Sequence, residues 1–92
     1  MSRENIYQKM ESTIPKGTMI IEYAHSWGGQ FQDKKFWCGR INGEVEDWQT
    51  KNELIEEAKE MKIEWAVLKY HKDGRISIVE SSSNIKRETF FD

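Results

Sequence analysis

Apolar residues recur along this chain with two different periods, and the switch between them marks one helix set among strands. From Thr50 onward, Leu54, Ile55, Ala58 and Met61 fall at i, i+1, i+4 and i+7, a stripe along one face of an α-helix. Glu56, Glu57, Lys59, Glu60 and Lys62 fill the opposite side. Ahead of them, Thr50 and Glu53 have the T-x-x-E spacing of a capping box. There the threonine hydroxyl accepts a free backbone N–H and the glutamate accepts the N–H of Thr50. Stripe and cap together predict a helix over residues 51–62.

On either side the period becomes that of strands. Residues 19–24 form a β-rich run after Pro15 and Gly17. Residues 35–41 and 44–48 flank Asn42-Gly43, a strong hairpin signal, because a type I′ turn needs positive φ at both central positions. Residues 63–70 and 75–80 flank Lys72-Asp73-Gly74, which predicts a second hairpin. The order β-β-β-α-β-β implies an α+β fold, an antiparallel sheet of about five strands with one main helix packed on one face. Parity places Ile63, Trp65 and Val67 together, and Ile76 with Ile78, as core candidates opposite Phe36 or Trp37. Residues 18–80 make the domain. Residues 1–17 are read as an N-terminal extension, in which Ile6, Met10 and Ile14 have the spacing of a short amphipathic helix. Residues 81–92 are read as a tail that opens on a polar Ser-Ser-Ser-Asn linker and ends in Phe90-Phe91. Two adjacent phenylalanines are costly to leave in water, so they dock either on the domain or on a partner.

Composition narrows the function classes. A chain of 92 residues has room for one domain. Its apolar fraction is 37%, yet 12% of residues are aromatic, which favours a folded core built from a few bulky groups over disorder. Cys38 is the only cysteine, so an intramolecular disulfide is impossible and a cysteine-based zinc site has too few ligands. No apolar run approaches the roughly 20 residues of a membrane span. The N-terminus lacks the apolar stretch of a signal peptide, so no membrane association is expected and the cytoplasm is the expected location. The net charge of −2 hides a dipolar arrangement. Residues 44–64 hold eight carboxylates against three lysines, while basic groups gather near two turns, Lys34, Lys35 and Arg40 at one and Lys69, Lys72 and Arg75 at the other.

Candidate chemistry is sparse. His25, His71 and Cys38 could supply a Cys–His nucleophile or metal ligands, but their spacing supports neither, and a mid-strand thiol usually behaves as a small hydrophobe. Gly28-Gly29 lacks the rest of either phosphate-binding fingerprint and is read as a loop. No catalytic residue, metal or cofactor is assigned. The glutamates of the helix, Glu56, Glu57 and Glu60, form an acidic face that could meet a partner or imitate nucleic-acid phosphates. Trp27 and Phe31, flanking the glycine pair, are either core or apolar anchors of an interface. Lys34, Lys35, Trp37, Arg40, Lys69 and Arg75 combine cations with rings in the manner of single-strand-binding sheets, though the RNP1 pattern is missing. An exposed edge strand at residues 19–24 would permit homodimerisation by strand pairing.

From Phe36 to Ile76 the chain resembles a family of small bacterial domains of unknown function. The shared features are Trp37 in a strand, the Gly43 turn, Thr50 and Glu53 opening the helix, and the Asp73-Gly74-Arg75-Ile76 hairpin. Leu54 stands where that family usually has alanine. This resemblance implies the fold and brings no activity. Residues 34–37, Lys-Lys-Phe-Trp, ahead of an acidic helix are also similar to the small T7-type phage inhibitor of bacterial RNA polymerase. Together these features favour a non-enzymatic protein-binding or regulatory module of the kind phages and mobile elements encode to inhibit a host enzyme. Trp27, Phe31, Phe90 and Phe91 would be its apolar anchors and Glu56, Glu57 and Glu60 its acidic face. A small nucleic-acid-binding domain is the alternative.

Overall fold

Both hairpin turns form through backbone conformations that their residues tolerate. In the computed structural model, which describes residues 3–23 and 37–91, Asn42 and Gly43 have φ of 52° and 85°, the paired left-handed conformation of a type I′ turn. Gly74, at φ 95°, closes the second turn, where the His71 N–H donates to the Arg75 carbonyl at 2.9 Å. The elements run α1 (Arg3–Thr13), β1 (Met19–Tyr23), β2 (Trp37–Ile41), β3 (Glu44–Gln49), α2 (Lys51–Met61), β4 (Trp65–Tyr70), β5 (Ile76–Ser81) and β6 (Thr89–Phe90).

The fold is α+β, but among the described residues its sheet has six strands in the order β3-β2-β1-β4-β5-β6 and is mixed rather than antiparallel. The exception is the central pair, where β1 runs parallel to β4 with Met19 beside Trp65 and Ile21 beside Val67. The cause lies in the connection through α2. Two antiparallel steps make β3 parallel to β1, and the helical crossover returns the chain in the direction of β3, so β4 runs parallel to the strand it joins. Insertion of β4 also places β1 in the interior of the sheet. Met19, Ile20 and Ile21 are therefore paired on both sides, and the dimerisation expected through an edge at residues 19–24 finds no free edge along them. Among the described residues the edges are β3 and the two-residue β6.

α2 starts and stops as its sequence dictates. The Glu53 N–H donates to Thr50 Oγ1 at 3.3 Å and the Thr50 N–H to Glu53 Oε1 at 3.2 Å, completing the capping box. At the other end Lys62 turns left-handed (φ 60°), and its N–H reaches back to the carbonyls of Ala58 and Lys59. Thr50→Ala removes the cap's acceptor and is expected to cost about 1 kcal/mol, readable as a lower denaturant midpoint at unchanged slope.

The core lies on both faces of the sheet. α2 buries Leu54, Ile55 and Ala58 against Met19, Ile21 and Val67, with Trp37, Ile41, Ile63 and Trp65 partly buried around them. On the opposite face, Ile6 and Met10 of α1 join Ala66, Leu68, Ile76, Ile78, Ile85 and Phe90. Hence three successive residues of β4, Ala66, Val67 and Leu68, are buried, the pattern of a strand covered on both sides. Ile76 and Ile78 are core, but on the opposite face from Val67. Residues 3–13 fold as a helix that packs on the sheet. The tail likewise supplies β6, whose Phe90 and Thr89 pair with Ile76 and Ser77. Phe90 is 3% exposed and cannot anchor a partner, because it fills the space between α1 and β5. Phe91 points outward, its carbonyl accepting from Lys9 Nζ at 2.7 Å.

Candidate binding groove beside the second helix

The glutamates of α2 are outward because the apolar stripe turns Leu54, Ile55 and Ala58 to the sheet. With Glu53 and the adjoining end of β3 they line a groove of about 420 Å³, bounded by Gln49, Asn52, Glu53, Glu56, Glu57 and Glu60. Four of its six lining residues are carboxylates and none is a cation. Strand parity brings Asp47 and Gln49 of β3 to the same side as α2. The Gln49 amide donates to Asp47 and, at 2.9 Å, to Glu57 Oε2, fixing the floor of the groove. Burial, reinforced by the charge of Asp47, pushes the Glu57 carboxyl above the usual glutamate range. Lys51, the first residue of α2, is directed elsewhere, with Nζ 2.5 Å from Glu80 and 6.0 Å from the Trp37 ring centroid. Lys59 pairs with Glu56 at 3.4 Å on the exposed side, a contact that water screens and that contributes little. The result is a concave anionic surface whose charges are crowded rather than neutralised.

The other candidate residues do not converge. Trp37 is half-buried on the α2 side, its ring 5.3 Å from that of Tyr23. Arg40 occupies the opposite face, its Nε 3.2 Å from Glu22, whose other oxygen accepts the Tyr70 hydroxyl at 2.5 Å. Lys69 is exposed on β4, and Arg75 Nε bonds Asp73 at 2.8 Å within its own turn. Among the described residues, these four cations and rings are split between two faces and a turn. Trp27, Phe31, Lys34 and Lys35 lie outside the described residues, as do His25, Gly28, Gly29 and Phe36.

Cys38 and His71 are engaged in the packing and hydrogen bonding of the sheet. Cys38 is buried on β2, and burial raises its thiol above the ordinary range, with Arg40 opposing in part. A thiol held in that form is a poor nucleophile. His71 Nε2 lies 2.8 Å from Ser77 Oγ, which lies 2.8 Å from Thr89 Oγ1, a polar chain that ties the β4–β5 turn to β6. Among the described residues no group of three or more His, Cys, Asp or Glu is placed to hold a metal ion, and no helix is long and apolar enough to cross a membrane.

Three groove residues, Gln49, Asn52 and Glu53, are not among the sequence candidates for binding. For Gln49 the signal is parity: residues 47 and 49 share one face of a strand that ends where the helix begins, so its inner side chains meet the helix's first two turns. Compared with protein-family models, with curated proteins and with solved structures, the chain finds no match.

Proposed function

We propose that the chain is a non-enzymatic binding module that recognises a basic surface on a partner protein through the groove between α2 and β3. The observation that carries this reading is the groove itself: Glu53, Glu56, Glu57 and Glu60 line one concavity with no cation among its lining residues. Crowded carboxylates repel one another, and a partner's lysines or arginines relieve that repulsion on contact, which favours association and speeds encounter. A module of this kind suits an inhibitor that covers a host enzyme's basic site, and the likeness of residues 34–37 to a phage inhibitor points the same way. The same charge repels nucleic-acid phosphates, and the dispersal of Trp37, Arg40, Lys69 and Arg75 gives the nucleic-acid alternative no platform among the described residues.

The test compares wild type with the triple variant Glu56→Gln, Glu57→Gln, Glu60→Gln in co-precipitation from bacterial lysate at physiological salt. Gln keeps the helix and removes the charge. Proteins retained by wild type and lost from the variant are expected, with retention falling as salt rises. Identical retention by both would exclude the groove. Titration with labelled single- and double-stranded oligonucleotides at low salt is expected to show no binding, and salt-sensitive binding would favour the alternative instead.

A further inference from the structure

The long edge of the sheet borders this groove. β3 is the outermost strand, so among the described residues one row of its backbone N–H and C=O groups has no strand neighbour. Its side chains divide by face. Asp47 and Gln49 are directed toward α2, while Val45 and Trp48, paired with Arg40 and Cys38, lie on the other side and are exposed at 42% and 36%. The inner ladder shifts register between Gly39 and Arg40, then runs regularly from Asp47 to Gln49 up to the helix cap. Along that stretch the Trp48 N–H is held by its neighbour's Asp47 Oδ1 at 2.8 Å.

Charge decides what such an edge can accept. A second copy pairing edge to edge would bring Glu44, Glu46 and Asp47 against their own counterparts, and like charges opposed across strands are destabilising. A basic strand meets the opposite situation. Successive side chains of an extended segment point to alternate faces about 3.3 Å apart along the chain, so every second residue would face α2 and its carboxylates.

Resting on the groove as the binding site, we infer that β3 is a docking edge for an extended segment of a partner protein in which basic and apolar residues alternate. Its lysines or arginines enter the groove against Glu53 and Glu57, its apolar residues cover Val45 and Trp48, and its backbone takes over the Trp48 N–H from Asp47. This is strand addition, with main-chain bonds supplying affinity and alternate side chains supplying selectivity.

The test uses three synthetic peptides of about eight residues: alternating Lys–Val, the same peptide N-methylated at alternate backbone nitrogens, and a scrambled sequence of equal charge. Binding is read by titration against the intact chain, with hydrogen exchange at the Trp48 amide as a local probe. The alternating peptide is expected to bind about tenfold or more tightly than the other two, to slow exchange at Trp48, and to weaken in Glu53→Gln/Glu57→Gln. Equal binding of all three peptides would overturn strand docking while leaving the acidic groove as the site. Binding of none would overturn both. Unchanged affinity in the double variant would place the peptide elsewhere, and a dimer sedimenting without peptide would make a second copy the occupant of the edge; either overturns the inference.

Discussion

Phe90→Ala is expected to cost about 3–5 kcal/mol, a large share of the stability of a domain this size. The side chain is 3% exposed and sits in one cluster with Ile6 and Met10 of α1, with Ile76 and Ile78 of β5, and with Ile85. Its removal leaves a cavity that the two-residue β6, paired with β5 through Phe90 and Thr89, is too short to collapse around. Thermal unfolding followed by circular dichroism should show a fall in Tm on the order of 15 °C or more. Phe91→Ala is the control: that ring is 58% exposed, and a change within about 0.5 kcal/mol is expected. Equal behaviour of the two variants would show that the tail does not belong to the core.

Leu54→Ala should cost about 2–5 kcal/mol through the same mechanism on the other face. Leu54 is fully buried beneath α2, and it also explains the glycine opposite it. A Cβ at Gly39 would stand 3.0 Å from Leu54 Cδ2 and 3.1 Å from Met19 Sδ, closer than comfortable packing permits. Because Leu54 and Met19 are both fully buried and have little room to give, Gly39→Ala is expected to be destabilising by itself and less so in the Leu54→Ala background, where one of the two crowding groups is gone. Denaturant titration of the four proteins yields the coupling directly, and strict additivity would contradict the contact. Met61, the last member of the same stripe, is 47% exposed at the helix end, and Met61→Ala should be nearly neutral.

Local chemistry was legible in the residues. The Thr50 cap, the Asn42-Gly43 turn and the α2 stripe depend on neighbours within a few positions, and each forms as its pattern implies. What did not show was the partner of each strand. Parallel and antiparallel neighbours leave the same alternation in a sequence, and only the length of the α2 crossover hinted that β4 could return beside β1. Ala66, Val67 and Leu68 are buried in succession, the signature of cover on both faces, but a short apolar run is equally consistent with a half-buried strand whose outer residues happen to be apolar. The second layer comes from the two ends: Ile6 and Met10 have helical spacing, and of the two docking places left open for Phe90-Phe91 the domain takes Phe90, which returns to the core with Ile85 beyond the polar opening of residues 81–84. For the groove, the glutamates of α2 were evident as an exposed row. That they face β3 across a concavity depends on how the helix crosses the sheet, which no local pattern encodes.

The interior position of β1 bears on the order in which the chain folds. Its five residues pair with β2, close behind in sequence, and Met19, Ile20 and Ile21 pair also with β4, more than forty positions away. During synthesis, β1, β2 and β3 can zip into a meander early, yet that meander keeps an unsatisfied flank until the crossover helix and β4 have emerged. Loop closure over such a separation must be completed before the parallel contacts reward it. Topology therefore leads one to expect a late closure rather than a strand-by-strand accretion, with the nascent meander presenting Met19 to Ile21 as a transient adhesive edge that β4 then covers.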